Sequence, residues 1–198
     1  MRNLKSVVAL CLSLLLCSVA ATAQMGTVTA KPVASGPGDP AKSYDSLLSA
    51  FEEQFTGVAK VMPADKYDFA PSQAIFKTEH AVKFETVRTF GQEITHVIMA
   101  NYYFYGAVGG MKPDVDMKSI GALKTKDEIL AALAKSFAFA HKAVATLTTQ
   151  NVLDTIPPVD GITMRGTLAG FGVAHGFDHY GQMVEYLRMN GLVPPGSK

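Results

Sequence analysis

The chain has 198 residues, of which 48% are hydrophobic and 18% charged, and its formal net charge at pH 7 is +1. A net charge this close to zero gives no sign of the basic surface that nucleic-acid binding requires. A chain of this size can bury an ample core without disulfides or a structural metal, so we expect one domain whose folding needs no cofactor.

The start of the chain has the organisation of a secretory signal peptide. Two basic residues are followed by an apolar run over 7–17 and by a small-residue cleavage site at 21–23. We therefore expect residues 1–23 to be removed, the mature chain to begin at Gln24, and the protein to be secreted or periplasmic. The apolar run is shorter than the roughly 20 residues of a membrane-spanning helix, and no membrane contact is expected after cleavage.

Cleavage changes the composition of the chain in two respects. Both cysteines, Cys11 and Cys17, are removed, which excludes disulfides, thiolate nucleophiles and cysteine-ligated zinc from the mature protein. Arg2 and Lys5 are also removed, leaving 175 residues with a formal net charge of −1. A lipoprotein acylated at Cys17 is the alternative, disfavoured because Leu16 stands where a small residue is expected.

The first predicted helix follows a leader. Residues 24–39 are rich in Gly, Pro, Ala and Thr without apolar periodicity, which predicts a flexible segment before a domain over 40–198. Asp39 is a suitable N-cap and Pro40 a suitable first helical residue, and Pro63 ends the helix. Its apolar stripe comprises Tyr44, Leu47, Leu48, Phe51, Phe55 and Val58.

A long connection and a second helix come next. Residues 63–85 have few periodic positions and are predicted to form a loop with a short helical turn at 72–76. The segment 89–92 is a capping box, in which a Thr hydroxyl and a Gln side chain each bind a backbone N–H. It opens a helix over 90–108, which the glycine pair at 109–110 ends because glycine tolerates a left-handed conformation.

Two further helices complete the pattern. A second capping box at 125–128 opens a helix over 126–149, and Pro157 and Pro158 mark the next loop. The last helix runs over 163–190 and is capped by Gly191. The apolar face of the third helix comprises Ile129, Leu130, Leu133, Phe137, Ala140, Val144 and Leu147. Since no strand pattern competes, we predict an all-α, four-helix bundle, whose sites are built from side chains that project inward.

The fourth predicted helix is unusually rich in glycine. Each glycine inside a helix costs about 1 kcal/mol relative to alanine, so these positions need a reason. We expect close approach of the backbone to a neighbouring helix or to a ligand. The residues are Gly166, Gly170, Gly172, Gly176 and Gly181.

Histidines supply the main functional indication. His175 and His179 are four residues apart on the fourth helix, so they share a face and can converge on one metal ion. The spacing alone is a weak indication, because it arises often by chance. His96, on a mostly apolar face of the second helix, is the best candidate for a third ligand. The alternatives are a structural His96 bonded to a carbonyl, a solvated His141 and an exposed His80.

Two segments resemble the DinB family: RTFGQEITHVIMANYYF at 88–104 and HYGQMVEYLRMNGLVPP at 179–195. This superfamily of four-helix metalloproteins includes thiol-dependent transferases and maleylpyruvate isomerases. The resemblance spans about 43–195 and implies a DinB-like bundle with a metal site between the second and fourth helices. The family's single His on the second helix and its HxxxH pair on the last match His96, His175 and His179.

Such a triad has a definite chemistry. Three neutral imidazoles leave a divalent metal with open positions for water or substrate, as in catalytic sites. Nitrogen ligands suit several ions, so the expected cofactor is a divalent transition metal, Zn, Ni or Fe, of undetermined identity. Glu93 and Asp178 are candidates to orient the rings, with exposed positions as the equal alternative.

Three functional hypotheses follow. The first is an exported DinB-like divalent-metal protein that acts as a hydrolase or transferase on an unknown small molecule; its catalytic residues are unknown beyond the triad. The second is a non-catalytic metal-binding or stress-related protein, and the third a helical interaction domain with structural histidines. Export counts against a thiol cosubstrate, because the thiol-using family members work in the cytoplasm. No nucleic-acid partner is expected, and a homodimer is left open.

Overall fold

The computed structural model describes residues 38–72 and 84–197, which contain five helices and one two-stranded hairpin. The hairpin pairs β1, Thr155–Val159, with β2, Ile162–Met164, in antiparallel fashion. Single 3-10 turns lie at Ala64–Lys66 and Pro195–Ser197. The helices are α1 Pro40–Val61, α2 Phe90–Gly109, α3 Met117–Ile120, α4 Lys126–Val144 and α5 Arg165–Met189.

Several expectations lie outside the described residues. They include the signal peptide, nearly all of the leader, almost the whole predicted turn at 72–76, and His80. In the part of the chain that is described, every helix is too short or too polar to cross a membrane.

The four long helices pack as the predicted bundle. Helix α2 contacts both α4 and α5, and α1 contacts the same two helices from the other side. The core is aromatic and centres on Phe51 of α1. Its ring centroid lies 5.4 Å from that of Phe137 on α4 and 5.2 Å from that of Phe177 on α5. Phe55, one turn along α1, is 5.3 Å from Phe51. These contacts fix α1, α4 and α5 around one point.

The predicted stripe of α1 is buried with one exception. Leu48, Phe51, Phe55 and Val58 are fully or almost fully buried, and Tyr44 packs against the core. Leu47, by contrast, is 45% exposed.

Helix starts agree with the capping signals. The Asp39 carboxylate accepts from the backbone N–H of Lys42 at 3.3 Å. Both capping boxes are formed, with the side chains at 89 and 92 and at 125 and 128 each accepting a backbone N–H. Gly110 ends α2 in a left-handed conformation with a φ of 62°. Each cap stabilises its helix by about 1 kcal/mol. This explains why these helix boundaries could be predicted from residues within one helical turn.

Helix α4 ends five residues before the predicted end at 149. The Asn151 side chain accepts from the backbone N–H of Thr148 at 2.8 Å, and the Thr148 hydroxyl accepts from the backbone N–H of Asn151 at 3.2 Å. Such local side-chain bonds compete with helical hydrogen bonds. They stop the helix at Val144, while Leu147 is still buried in the turn that follows.

Our expectation of no strands is wrong for residues 155–164. Asp160 and Gly161 have φ values of 48° and 79°, and an Asp-Gly turn with two positive φ values suits a tight hairpin. The hairpin also moves the start of α5 from the predicted 163 to Arg165. The short helix α3, opened by an Asp116 cap, is likewise absent from the sequence-based prediction.

His141 occupies a position different from the expected solvated edge. Its Nδ1 lies 2.6 Å from Oδ1 of Asp45 and its Nε2 lies 2.9 Å from Oε2 of Glu52, both on α1. Partial burial alone lowers the pKa of His141, but the two hydrogen bonds outweigh it and raise the pKa above its ordinary value. When protonated, the ring can donate from both nitrogens and ties α4 to α1.

This pairing predicts a pH-dependent contribution to stability. Because the native pKa is raised, the contribution is fully present below the unfolded pKa of about 6.5 and is lost as pH rises through the native value. At pH 6, His141→Gln should lower the free energy of unfolding by about 1 kcal/mol, or Tm by about 2–4 °C. As the pH rises past the native pKa of His141 the two melting temperatures should converge, and a difference that is the same at every pH would contradict the pairing.

Candidate metal centre

Three histidines from two helices meet inside the bundle. His96 lies in the second turn of α2, and His175 and His179 lie one turn apart on α5. Each offers one ring nitrogen, and the three atoms lie within 4.8 Å of one another. His96 and His175 are half-buried, and His179 is buried. The structure therefore brings together the three residues that the sequence analysis selected as ligands.

Glu93 fixes the orientation of His179. Its Oε2 lies 2.6 Å from Nδ1 of His179, and the two side chains are only 1% and 5% exposed. Because the carboxylate can only accept, the hydrogen bond places a proton on Nδ1 and leaves Nε2 as the ring nitrogen open to a metal ion. This is the arrangement by which a carboxylate orients a metal-binding imidazole. Of the two candidates for that role, Asp178 is exposed and bonds to Gln182 instead, at 3.1 Å.

The nitrogen positions suit a metal ion. Nε2 of His96 and Nε2 of His175 are 3.2 Å apart. Two nitrogens that share a tetrahedral Zn²⁺ at about 2.0–2.1 Å lie about 3.4 Å apart. All three nitrogens lie within 4.8 Å of one another, so small ring rotations are enough to close the triad on an ion. Three nitrogen donors and one buried carboxylate fit a divalent transition metal.

The electrostatics of the cluster favour neutral imidazoles. Burial, the charge of Arg88 and the two other histidines lower the pKa of His96 to about 4. Burial and His179 also lower the pKa of His175. At neutral pH the lone pairs of both rings are therefore free to bind a cation, without competition from protons.

Aromatic side chains wall one side of the cluster. The ring of Phe104 on α2 meets that of His175 edge-on at 5.3 Å, and Phe171 on α5 lies 5.4 Å from Phe104. These rings keep His175 from swinging away from its neighbours. They also give the site an apolar flank.

The glycines of α5 explain how the helix comes so close to its neighbours. A Cβ at Gly176 would overlap the ring of Phe51 on α1, and a Cβ at Gly172 would lie 3.0 Å from the ring of Tyr105 on α2. The glycines were expected to allow close approach either to a neighbouring helix or to a ligand. Close approach to a neighbouring helix explains both Gly172 and Gly176. At Gly181 a Cβ would meet no described residue within 4 Å, so close packing does not explain that glycine.

His141 does not join the cluster. His141 is paired with α1 as described above, and His80 is outside the described residues. Two charged residues near the cluster were missed by the sequence analysis. Arg88 acts electrostatically on His96 and His175, and Asp160 in the hairpin turn acts on His175. Neither has a spacing motif that could have revealed it.

Comparisons with known proteins agree with this architecture. A family model described as the DinB superfamily matches residues 47–183. A DinB-like protein from Bacillus cereus superposes with a TM-score of 0.64 at 16% identity, covering 79% of this chain and 97% of that one. A DinB-like protein from Bacillus subtilis gives 0.56 at 13% identity, covering 75% and 92%. At such identities the likeness of structures shows the fold alone. No curated protein sequence matches this chain.

Proposed function

The chain belongs to the DinB superfamily, and we propose that it is an exported metalloprotein that acts as a metal-dependent hydrolase or transferase on a small molecule. One observation carries the proposal: nitrogen atoms of His96, His175 and His179 lie within 4.8 Å of one another. The resident cofactor would be a divalent transition metal, Zn, Ni or Fe, held by these three residues.

The residues of the chain suit an open rather than a closed site. Three protein ligands leave at least one position free, as in catalytic zinc sites. A metal bound there would acidify a water molecule or polarise a substrate carbonyl. Glu93 would hold His179 in its binding tautomer through the 2.6 Å bond, and Phe104 would limit the motion of His175.

A non-catalytic metal-binding protein is the second candidate, and one observation favours it. Within residues 38–72 and 84–197, Glu93 is the only carboxylate that hydrogen-bonds to one of the three histidines. Its Oε2 is engaged by Nδ1 of His179 and its side chain is only 1% exposed, so it is poorly placed to take a proton from a water molecule in an open site. Turnover would therefore depend on water or on the substrate itself for proton transfer.

Metal analysis of protein purified without a His tag tests the proposal. We expect about one equivalent of a divalent transition metal per chain, retained after gel filtration. A screen of ester, amide and group-transfer substrates with metal-loaded and metal-stripped protein then separates an enzyme from a binding protein. Absence of tightly bound metal under all loading conditions would leave a helical interaction domain with structural histidines.

Export makes a separate prediction about the N-terminus. Because the cleavage site ends at Ala23, the exported chain should begin at Gln24, with or without cyclisation to pyroglutamate. Intact-mass measurement of the extracellular or periplasmic fraction checks this. A chain that still carries Met1 in that fraction would refute the signal peptide.

A further inference from the structure

A cavity of about 310 Å³ lies between α2, α3 and α4. Much of its wall is apolar: Ile98 of α2 and Ile120 of α3 are buried, and Leu123 packs against the core. Close-packed protein interiors contain few voids larger than a water molecule, whereas small-molecule sites have volumes of about 300–1,000 Å³. The cavity is therefore too large for a packing defect and reaches the lower end of the range of ligand sites.

Small residues of α4 leave this space open. Ala131 and Ala132 line the cavity, and a side chain that ends at Cβ cannot fill the gap between α4 and α3. Helix α3 is fixed on the opposite wall, because Ile120 is only 3% exposed and the Asp116 side chain caps the helix. The cavity is thus a consequence of how these helices pack.

Tyr102 brings an unpaired polar group to the cavity. It lines the cavity and is only 2% exposed, yet its hydroxyl has no hydrogen-bond partner among the described residues. The hydroxyls of Tyr67, Tyr105 and Tyr186, which are also buried, each donate to a backbone carbonyl. Burial and the charge of Asp114 raise the pKa of Tyr102, which keeps its hydroxyl a donor. Because buried polar groups are normally paired, this hydroxyl is open to a ligand.

Lys135 supplies an unpaired cation to the same cavity. It lines the cavity from α4, is exposed, and makes no ion pair or hydrogen bond within the described part of the chain. Glu128, the one acid among the described lining residues, is already occupied. Its Oε2 accepts from the backbone N–H of Thr125 at 3.1 Å and from the Thr125 hydroxyl at 2.8 Å. Two free donors, a phenol and an ammonium, therefore border an apolar space, and both suit an oxygen ligand.

We propose that this cavity binds a small amphipathic carboxylate, of which a medium-chain fatty acid is the simplest example. The chain of the ligand lies against Ile98 and Ile120, and its carboxylate is bound by Lys135 and by the hydroxyl of Tyr102. An apolar wall with a few polar groups is the usual form of a small-molecule site. No residue of α5 and none of the three histidines is among the described lining residues. The site is therefore separate from the candidate metal centre, and the inference does not depend on the proposed function.

Calorimetric titration of the protein as purified with octanoate tests the site. Octan-1-ol and octylammonium serve as probes with the same chain length. We expect octanoate to bind once per chain and about threefold more tightly than octan-1-ol, as one exposed ion pair allows. Octylammonium should bind most weakly, because Lys135 repels it. Octanoate that does not bind at millimolar concentration, or equal affinities for all three probes, would overturn the proposal.

Variants of the lining residues separate the charge from the apolar wall. Lys135→Gln should weaken octanoate binding about threefold and leave octan-1-ol binding unchanged, since the alcohol carries no charge. Ala132→Leu adds a side chain inside the cavity and should weaken the binding of both probes about tenfold. If Ala132→Leu does not fold, Ala131→Leu, at an exposed residue of the same wall, takes its place. The matched control is Lys142→Gln, two turns further along α4 and outside the cavity; it should change nothing.

Three other results would point to a different explanation and overturn the proposal. Octanoate binding that His96→Ala abolishes and Lys135→Gln leaves intact would place the carboxylate at the histidines. Equal weakening by Lys135→Gln and Lys142→Gln would show only a general attraction to basic side chains. A protein that dimerises, ignores octanoate and loses its dimer in Ala132→Leu would show that a second copy of the chain covers the cavity.

Discussion

Replacement of His96, His175 or His179 by alanine is expected to lower the affinity for the divalent metal by well over tenfold. Loss of a residue that merely orients a ligand costs about 10–100-fold, and loss of a ligand should cost at least as much. Competition with a chromogenic chelator measures the affinity of each variant. Glu93→Ala should have a smaller effect than any of the three, since it removes the partner of His179 and leaves all three nitrogens in place.

The two other histidines are the controls for this series. His141→Ala breaks the pairs with Asp45 and Glu52 and should lower stability without changing metal affinity. His80→Ala is expected to change neither. Equal losses from all five replacements, or from none, would contradict the assignment of the triad.

Gly176→Ala is expected to destabilise the fold by about 1–3 kcal/mol or more, which is the usual cost of overpacking a core. The added methyl group would overlap the Phe51 ring. That ring cannot move aside easily, because it is held between Phe137 and Phe177. Thermal melts should show a fall in Tm of about 2–4 °C per kcal/mol. Metal binding should weaken as well, since His175 precedes this contact directly.

Two other glycines of α5 calibrate the effect. Gly172→Ala should cost less than Gly176→Ala, because the contact with the Tyr105 ring, at 3.0 Å, needs only a small shift. Gly181→Ala meets nothing within 4 Å and should stabilise by up to about 1 kcal/mol through its better helix propensity. If alanine at 172 and 176 is also stabilising and metal binding is normal, close packing of α5 does not position the site.

Helix boundaries were predictable where the signal is local. The capping boxes at 89–92 and 125–128 and the left-handed Gly110 depend only on residues within one turn, and all three are confirmed. The end of α4 was not predicted, because apolar periodicity continues to Leu147 while the bonds between Thr148 and Asn151 have already stopped the helix. The buried apolar pattern extends to Leu147, whereas the helix itself ends at Val144.

The hairpin was missed because two signals conflict in its sequence. The pair Asp160-Gly161 is a strong hairpin signal, but Pro157 and Pro158 argue against a strand. The structure has the strand and the prolines together. Tertiary contacts of Val159, which is buried, outweigh the local preference.

The candidate metal site could be predicted from the sequence only in part, because some of its contacts depend on how the helices pack. The spacing of His175 and His179 is encoded within one helix, whereas the approach of His96 depends on how α2 packs against α5, 79 residues away from His175 in sequence. Its mostly apolar face made His96 the best of three candidates, and the family resemblance strengthened that choice. The same limit applied to Glu93, whose burial against His179 is a property of the packed helices.

The double proline in β1 has a consequence for association between chains. Proline has no backbone N–H, so Pro157 and Pro158 remove two of the donors that the five-residue strand would otherwise offer to β2 or to its open edge. A strand from another molecule that added to this edge would lose a hydrogen bond in the middle of a five-residue strand. The edge is therefore a poor template for intermolecular strand addition, the usual first step towards β-aggregates in chains that expose a hairpin before their helices have packed.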